Sequence, residues 1–258
     1  MSKLEVGVAH QYNRRVEKQI EEQQTPYWEN LDLDLKNSEI RPVTLKFAKE
    51  IIEEYEYLGC IAAINWYQFG IFFKSTDGTK EVCGGVVVYG QEYAENRGVW
   101  DKYNYTGKII LLNRGVCIHW TPINTNSMLI MESMKMLPKK YKVITCTVDF
   151  DAGEIGTIYQ ACNFHYVGAM RKTKTRLNVI INGKKYGSRT LRQKYGTMAQ
   201  DKLPALVKAK LGDDATIEFV TVYAKHRYFY FIGSKVDKKI LKSSIQELIK
   251  PYPKRNLE

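Results

Sequence analysis

The segment from residue 148 to residue 168 constrains the fold of this 258-residue chain more than any other. It reads Val-Asp-Phe-Asp-Ala-Gly-Glu-Ile-Gly-Thr-Ile-Tyr-Gln-Ala-Cys-Asn-Phe-His-Tyr-Val-Gly. The pattern predicts a strand that ends near Asp149, a glycine-marked loop, a short helix, a turn at Asn163 and a new strand. Strands that alternate with helices are typical of sheets covered by helices. The chain is therefore expected to hold such a sheet at its centre.

Hydrophobic periodicity places further strands and helices around this segment. A helical pattern ends near Leu58, and a hairpin turn at residues 76–79 joins two apolar strands. An apolar strand over residues 108–119 leads into an amphipathic helix over residues 124–137 and then into a strand over residues 141–149. The order predicts an α/β (α+β) fold with a mixed central β-sheet flanked by helices.

The chain changes character near residue 170, where basic residues begin to accumulate. Residues 170–258 hold 21 Lys and Arg against 7 Asp and Glu, whereas the preceding residues hold 18 against 21. We therefore predict an N-terminal arm over residues 1–30, a core over residues 31–170 and a basic C-terminal region over residues 171–258. This region is expected to pack on the core and to contact nucleic acid; solubility alone is the simpler alternative.

Cysteine and histidine usage argues against a disulfide-rich or zinc-stabilised protein. The five cysteines form no CxxC pair and lie mostly among apolar neighbours, as buried free thiols do. The four histidines are too scattered to indicate a metal by spacing, so no metal ligand is assigned. No signal peptide opens the chain, and no apolar run reaches the ~18 residues needed to span a bilayer. A cytoplasmic protein without a membrane partner is expected.

Three side chains of the core are candidates for catalysis. Asp149 ends a strand at a position where ligands gather in open α/β sheets, and it could accept a proton from an amine; a turn carboxylate is the alternative. Tyr159 could donate a proton to a leaving group, or it could simply pack in the core. Arg114 lies in an apolar strand, where an arginine is costly unless paired. It could bind a carboxylate, a phosphate or Asp149, or it could lie on the surface of an edge strand.

The start of the predicted helix near residues 122–127 is a candidate donor site. Helix N-termini bind anions through free backbone N–H groups and the helix dipole. The Ser127 hydroxyl could lie beside a reacting carbonyl. Ordinary capping of the helix by Asn124, Thr125 or Asn126 is the alternative, and capping is expected in either case.

A basic stripe interleaved with tyrosines runs through the C-terminal region. This pattern suits phosphate contacts combined with base stacking, and a solvated face with core aromatics is the alternative. The predicted nucleic-acid-binding residues are Arg171, Lys172, Lys174, Arg176, Arg189, Arg192, Lys225 and Arg227.

Five short motifs occur in a fixed order along the chain. They lie at residues 112–114 (Leu-Asn-Arg), 122–127 (Pro-x-Asn-x-x-Ser), 149–168, 225–231 and 251–254. Together they resemble the motifs of the Mom family of phage DNA adenine-modification proteins, which have a GNAT-like acyltransferase fold. Glu56 and Glu154 depart from the family pattern, which often has histidine at both positions.

The resemblance implies a GNAT-like core that converts the N6 amine of adenine in double-stranded DNA to a carbamoylmethyl (acetamido-type) group. The modification would protect phage DNA from restriction nucleases in the host cytoplasm. Because N6 lies in a base pair, the adenine would be flipped into the cleft. The implied roles are proton acceptor or orienting group for Asp149, anchor for Arg114, carbonyl contact for Ser127, acid for Tyr159, and donor contacts for Asn124, Asn126, Ser127 and Asn163.

The donor and two other functions stay open. Acetyl-coenzyme A is the usual donor of GNAT enzymes, but this chain lacks the glycine-rich segment that usually binds the coenzyme A pyrophosphate. An aminoacyl-tRNA would also suit the basic surface, and a metal requirement is not assignable. The alternative function is a GNAT-type acyltransferase acting on a small amine, a protein or an aminoacyl-tRNA. A nucleic-acid-binding protein with an inactive core is the third.

Overall fold

The computed structural model describes residues 8–61, 64–92, 98–170 and 175–255, and the side chains of residues 175, 176, 188, 189 and 223 lie outside that description. The chain forms two compact units. The core unit comprises Met1–Met170 and Lys225–Glu258, and the inserted unit comprises Arg171–Ala224. The expected basic C-terminal region is thus divided between the two units, because its last part returns to the core.

A seven-stranded sheet forms the centre of the core unit. Its strands are β1 (Glu39–Pro42), β2 (Asn65–Lys74), β3 (Glu81–Gly90), β4 (Ile109–Cys117), β5 (Val143–Val148), β6 (His165–Gly168) and β10 (His226–Phe231). Their order is β1-β2-β3-β4-β5-β10-β6. Neighbours are antiparallel except β4 and β5, which are parallel. The predicted mixed α/β class is confirmed.

Strand β10 lies inside the sheet although it comes from the basic C-terminal region. It pairs with β5 on one side and β6 on the other, for example Tyr228 with Cys146 and with Tyr166. A strand covered on both faces buries consecutive side chains. Tyr228 and Phe229 are accordingly both fully buried.

Helices cover both faces of this sheet. They are α1 (His10–Glu22), α2 (Leu45–Tyr55), α3 (Thr125–Met136), α4 (Thr157–Ala161) and α7 (Lys235–Ser243). Helix α3 packs Leu129 and Met134 into the largest apolar cluster, on the face that also holds Ile144. Ile52 of α2 and Leu241 of α7 belong to two other clusters. None of the helices in the described ranges is long and apolar enough to cross a bilayer.

The N-terminal arm contains helix α1, which is bonded to α2 and the residues after it. Gln11 Nε2 donates to the Tyr55 carbonyl oxygen (2.9 Å), and Gln11 Oε1 accepts from the Tyr57 N–H (3.0 Å). Lys18 forms ion pairs with Glu21 and Glu54. The arm is therefore held against the core by specific polar contacts.

The inserted unit has its own sheet and its own apolar core. Strands β7 (Thr175–Ile181), β8 (Lys184–Gly187) and β9 (Ile217–Tyr223) pair in the order β8-β7-β9, with helices α5 (Ser188–Tyr195) and α6 (Leu203–Leu211). A hairpin turn at Asn182 and Gly183 joins β7 and β8, and both residues have positive φ (47° and 76°), as a type I′ turn requires. Val179, Leu191 and Val207 are fully buried.

Candidate active site

The core sheet splits between its two parallel strands. β4 and β5 pair only through residues 109–111 and 143–145, although both strands continue beyond these positions. On its other side, β4 carries an irregularity where Val88 pairs with Arg114 and Tyr89 pairs with Leu112. Such a bulge redirects side chains and raises the local twist. Beyond these positions the two strands are no longer paired, and we call the region between their ends, beside Arg114 and Asp149, the cleft.

Asp149 lies at the β5 wall of this cleft. It follows the last residue of β5, and its carbonyl oxygen accepts hydrogen bonds from Ala152 and Glu154 (3.0 and 3.1 Å), which hold the turn after the strand. The carboxylate is buried, and Lys225 Nζ lies 3.9 Å from its Oδ2. Lys225 therefore places a positive charge beside this carboxylate.

Arg114 lies at the β4 wall and is anchored by backbone. Its Nε donates to the Cys60 carbonyl and its Nη1 to the Asn113 carbonyl, each at 3.2 Å. Burial alone would lower the pKa of Arg114, but Glu56 and further neighbours hold it above its usual value. Glu56 is itself buried and accepts the Leu58 N–H (2.9 Å). Burial raises the pKa of Glu56, and Arg114 opposes that shift.

Two further residues of the cleft are absent from the sequence-based site. Burial raises the pKa of Tyr57, and the charges of Glu56 and Asp149 raise it further. Burial also raises the pKa of Glu154, while Arg255 lowers it. The sequence signal that could have identified Tyr57 is its position next to the acid Glu56, just after the end of α2. Glu154 was noted only as a departure from a family pattern.

Tyr159 lies on α4 beside the interior side of β5. Burial, together with the neighbouring Cys146 and Glu154, raises its pKa well above the ordinary value. Its ring packs at 5.5 Å from Phe164 and 5.7 Å from Tyr228. The raised pKa keeps the Tyr159 hydroxyl protonated at neutral pH, and it also makes the hydroxyl a weaker acid than an ordinary tyrosine.

The short helix α4 needs a glycine at its start. Gly156 has φ of +79°, and a Cβ atom there would lie 2.7–2.9 Å from the Tyr228 ring and hydroxyl. Only glycine meets both demands without strain. The Tyr228 hydroxyl donates to the Ile155 carbonyl (2.6 Å), so this turn is fixed against β10.

The start of α3 borders a cavity of about 330 Å³. Asn124 and Asn126 line it, together with Gln11 and Arg15 of α1. Asn124 adopts φ of +75° and its side chain makes no capping hydrogen bond, so the expected side-chain cap is wrong. The Ser127 hydroxyl donates to the Asn124 carbonyl (2.9 Å) and does not line the cavity. The Thr125 N–H donates instead to the Pro122 carbonyl (3.3 Å).

Asn163 lies apart from the other predicted donor residues. It lines a second cavity of about 290 Å³ with residues of β6, β10 and α7, and not the cavity at the start of α3. Asn124 and Asn126 therefore line one cavity, and Asn163 lines another.

The predicted nucleic-acid-binding residues have different surroundings. Arg227 is buried, and its Nη1 donates to Glu92 (2.9 Å) and to the Thr145 hydroxyl (2.8 Å). A buried and paired guanidinium cannot reach a phosphate, so this prediction is wrong. Lys225 faces Asp149 in the cleft. Arg192 is exposed on α5 of the inserted unit.

The remaining predicted basic residues are not tested. Arg171, Lys172 and Lys174 lie outside the described residues, and the side chains of Arg176 and Arg189 do as well. Among the described residues, no group of three or more His, Cys, Asp or Glu side chains is arranged to hold a metal.

Sequence comparison identifies one family for most of the chain. The model of the Mom protein family matches residues 37–254. This range includes Arg114, Asp149 and Tyr159 and begins after helix α1. No curated protein matches the chain by sequence.

Solved structures with a distant likeness are acetyltransferases by name. One is the crystal structure of Arabidopsis thaliana NAA60 in complex with acetyl-CoA, with 11% identity and a TM-score of 0.39, covering 76% of this chain and 99% of that one. Another is a candidate acetyltransferase from Pyrococcus horikoshii, with 10% identity and a TM-score of 0.35, covering 87% of this chain and 96% of that one.

Proposed function

The chain belongs to the Mom protein family, and from this premise we propose that it is a transferase that modifies the N6 amine of adenine in double-stranded DNA. The product would carry a carbamoylmethyl (acetamido-type) group on N6. Its biological effect would be to block restriction nucleases that read the unmodified adenine in the major groove. The flipped adenine would enter the cleft between β4 and β5.

The observation that carries this proposal is the arrangement of an acid and a base around one cleft. The Asp149 carboxylate lies at the end of β5 with Lys225 Nζ 3.9 Å from its Oδ2. Tyr159 has its pKa raised by burial and by Cys146, so it holds its proton. A carboxylate and a protonated hydroxyl are the groups that a general base step and a general acid step need.

The proposed reaction is a substitution at the CH2 carbon of a donor that carries a CH2–CONH2 unit and a leaving group. The lone pair of N6 forms the new N–C bond while the bond from that carbon to the leaving group breaks. The N6 proton passes to the Asp149 carboxylate, and the leaving group takes a proton from the Tyr159 hydroxyl. Arg114, held by the Cys60 and Asn113 carbonyls, would anchor the donor.

The cavity at the start of α3 is the proposed place for the donor. It offers the amide side chains of Asn124 and Asn126 and the uncapped helix N-terminus, with the Arg15 side chain at its edge. The Ser127 hydroxyl would contact a donor carbonyl only after leaving the Asn124 carbonyl. This chemistry suits an anionic donor. Acetyl-coenzyme A and an aminoacyl-tRNA are both anionic, but direct acyl transfer from them would give an N6-acetyl or N6-aminoacyl group, so either donor would supply the carbamoylmethyl group only after a further rearrangement or addition of the amide nitrogen.

The test is mass spectrometry of nucleosides from plasmid DNA isolated from bacteria that express the protein. A heavier deoxyadenosine, with the mass of one added carbamoylmethyl group, is expected with the wild-type chain and not with Asp149→Asn. The exchange keeps the shape of the side chain and removes the proton acceptor. Asp213→Asn, in an exposed turn of the inserted unit, is the matched control and should leave the product unchanged.

Unmodified DNA from cells with soluble wild-type protein would contradict the proposal for that host. A new nucleoside of another mass would keep the DNA substrate and correct the transferred group. Coenzyme A binding without any modified DNA would favour the acyltransferase alternative.

A further inference from the structure

The second cavity of the core unit lies at the opposite end of β10 from the cleft. Its lining residues are Asn163, His165, Tyr230, Phe231, Lys238, Lys239 and Lys242. β10 pairs with β5 from His226 at the cleft end to Phe231 at the far end. Six strand residues span roughly 20 Å, so this basin is separate from the reaction centre. We call it the lysine basin.

The rim of the lysine basin is formed by three lysines of α7. Lys238 and Lys239 are exposed and Lys242 is half-buried, and within the described residues none of them forms an ion pair. The acidic residue of the same helix, Asp237, is bonded to Ser234 in a capping box. The positive charge at this rim is therefore not neutralised by its own helix, and it complements a polyanion.

The floor of the basin is aromatic and carries an amide. Tyr230 is half-buried and packs on the Phe164 ring at 5.1 Å, with Lys238 Nζ 5.9 Å from its centroid. Asn163 is exposed in a left-handed turn with φ of +59°. Burial lowers the pKa of His165, and Lys242 lowers it further, so its ring is neutral at pH 7. A neutral ring, a tyrosine and an amide fit a base, whereas the lysines fit its phosphates.

The pairing of β10 leaves room for such a ligand. β6 pairs with β10 only through Arg227, Tyr228 and Phe229. Within the described residues, no strand pairs with Tyr230 and Phe231 on that side. The floor is thus accessible at the end of the strand.

We propose that the lysine basin binds a single-stranded segment of DNA, with one unpaired base on the Tyr230 floor and the flanking phosphates on the three lysines. Stacking needs an unpaired base with a free face, which an intact duplex does not offer. The choice of DNA over RNA rests on the proposed function, because base flipping opens the duplex locally and leaves unpaired nucleotides. The basin itself is defined without reference to that function.

The test is fluorescence anisotropy with a labelled 12-nucleotide single strand, a blunt duplex of the same sequence and the matching RNA, at 50 to 200 mM salt. The basin variant combines Lys238→Gln, Lys239→Gln and Lys242→Gln. The control variant removes the same charge from exposed lysines outside the basin, through Lys36→Gln, Lys46→Gln and Lys74→Gln.

The single strand is expected to bind the basin variant at least about tenfold more weakly than the control variant. Three lost phosphate contacts should also reduce the slope of log K against log salt by about 2. Asn163→Gly tolerates the left-handed turn and removes the amide, so a smaller loss of about threefold is expected. Circular dichroism of each variant shows whether the fold is kept.

Equal losses in the basin and control variants would overturn the proposal, because charge alone would then explain binding. Tighter binding of the RNA or of the duplex to the same basin would overturn it as well. Nucleoside mass spectrometry is independent of this test: single-strand binding without any modified adenine would contradict the proposed function and leave the basin site standing.

Discussion

The two units of the chain use charge in opposite ways. In the core unit, Glu56, Asp149 and Arg227 are buried, and they lie beside partners of the opposite sign. In the inserted unit, the core is made of aliphatic side chains such as Val179 and Leu203, and the helices carry their charges outward. Buried charges are costly unless they are paired, so proteins keep them mainly where they have a role.

Charged residues therefore have different uses in the two units: several are buried and paired in the core unit, and most of those described in the inserted unit are exposed. A basic residue near the end of the chain can belong to either unit, and its environment decides what it does. Lys225 and Arg227 are only a few residues after the inserted unit, yet both are held in the core unit. The basic composition of the last third therefore does not define one nucleic-acid-binding region.

Replacing one arginine in each unit, in separate variants, is the test of this comparison with the largest expected effect on stability. Arg227→Met leaves Glu92 buried without its charge partner and should lower the free energy of unfolding by about 3–5 kcal/mol. Arg192→Met in the inserted unit removes an exposed charge and should change it by less than about 0.5 kcal/mol. Urea unfolding measures both variants. Similar losses at the two positions would break the proposed distinction.

Removing one tyrosine hydroxyl from each unit, in separate variants, compares the two units by the rate of the reaction. Tyr159→Phe should slow formation of the modified nucleoside by about 100-fold, because general acids contribute about 10²–10⁴. Tyr195→Phe, at the end of α5, should leave the rate unchanged. Product formed per hour is measured at equal protein concentration. An unaffected rate in Tyr159→Phe would remove Tyr159 from the mechanism.

The five cysteines all belong to the core unit. We therefore expect the stability of this unit to depend on pH, with a smaller effect than in the two tests above. Burial raises the pKa of Cys83 and Cys162 to about 11 and that of Cys117 to about 12. An unfolded thiol ionises near pH 8.5, so above that pH the unfolded chain loses protons that the folded chain keeps.

Stability should consequently fall as pH rises from 8.5 to 9.5, by up to about 1.4 kcal/mol per pH unit for each such thiol. Unfolding free energies across this range give the slope. Cys83→Ala should reduce the slope, although it also lowers stability at every pH. An equal slope in the wild-type chain and in Cys83→Ala would show that the Cys83 thiol does not contribute to the pH dependence of stability.

The sequence predicted the local elements of the core well. The hairpin after β2, the strands β4 and β5 and the helix α3 between them follow from periodicity and turn residues that lie close together in the chain. Asp149 was placed at the end of its strand for the same reason. Its environment depends on Lys225, which reaches it through the pairing of β10 with β5.

Contacts between distant segments could not be predicted in this way. Arg227 and Glu92 are 135 residues apart, and nothing in the local pattern around Arg227 distinguishes a buried ion pair from a phosphate contact. The same holds for Asn163, whose turn was foreseen but whose neighbours on α7 come from the last part of the chain. The uncapped start of α3 depends on a left-handed Asn124; asparagine favours both this conformation and the N-cap position, and the local sequence does not decide between them.

The most direct test of the account asks which unit holds the reaction. Plasmid DNA would be incubated with purified protein in host-cell extract, which supplies the donor, at 50 and 200 mM salt, and the modified deoxyadenosine would be quantified by mass spectrometry. One variant is Asp149→Asn, and the other combines Arg192→Gln, Lys208→Gln and Lys210→Gln in the inserted unit. We predict no product from Asp149→Asn at either salt concentration, and a loss of a few-fold in the inserted-unit variant that low salt restores. Product from Asp149→Asn, or a complete loss in the inserted-unit variant at low salt, would contradict the placement of the reaction in the core cleft.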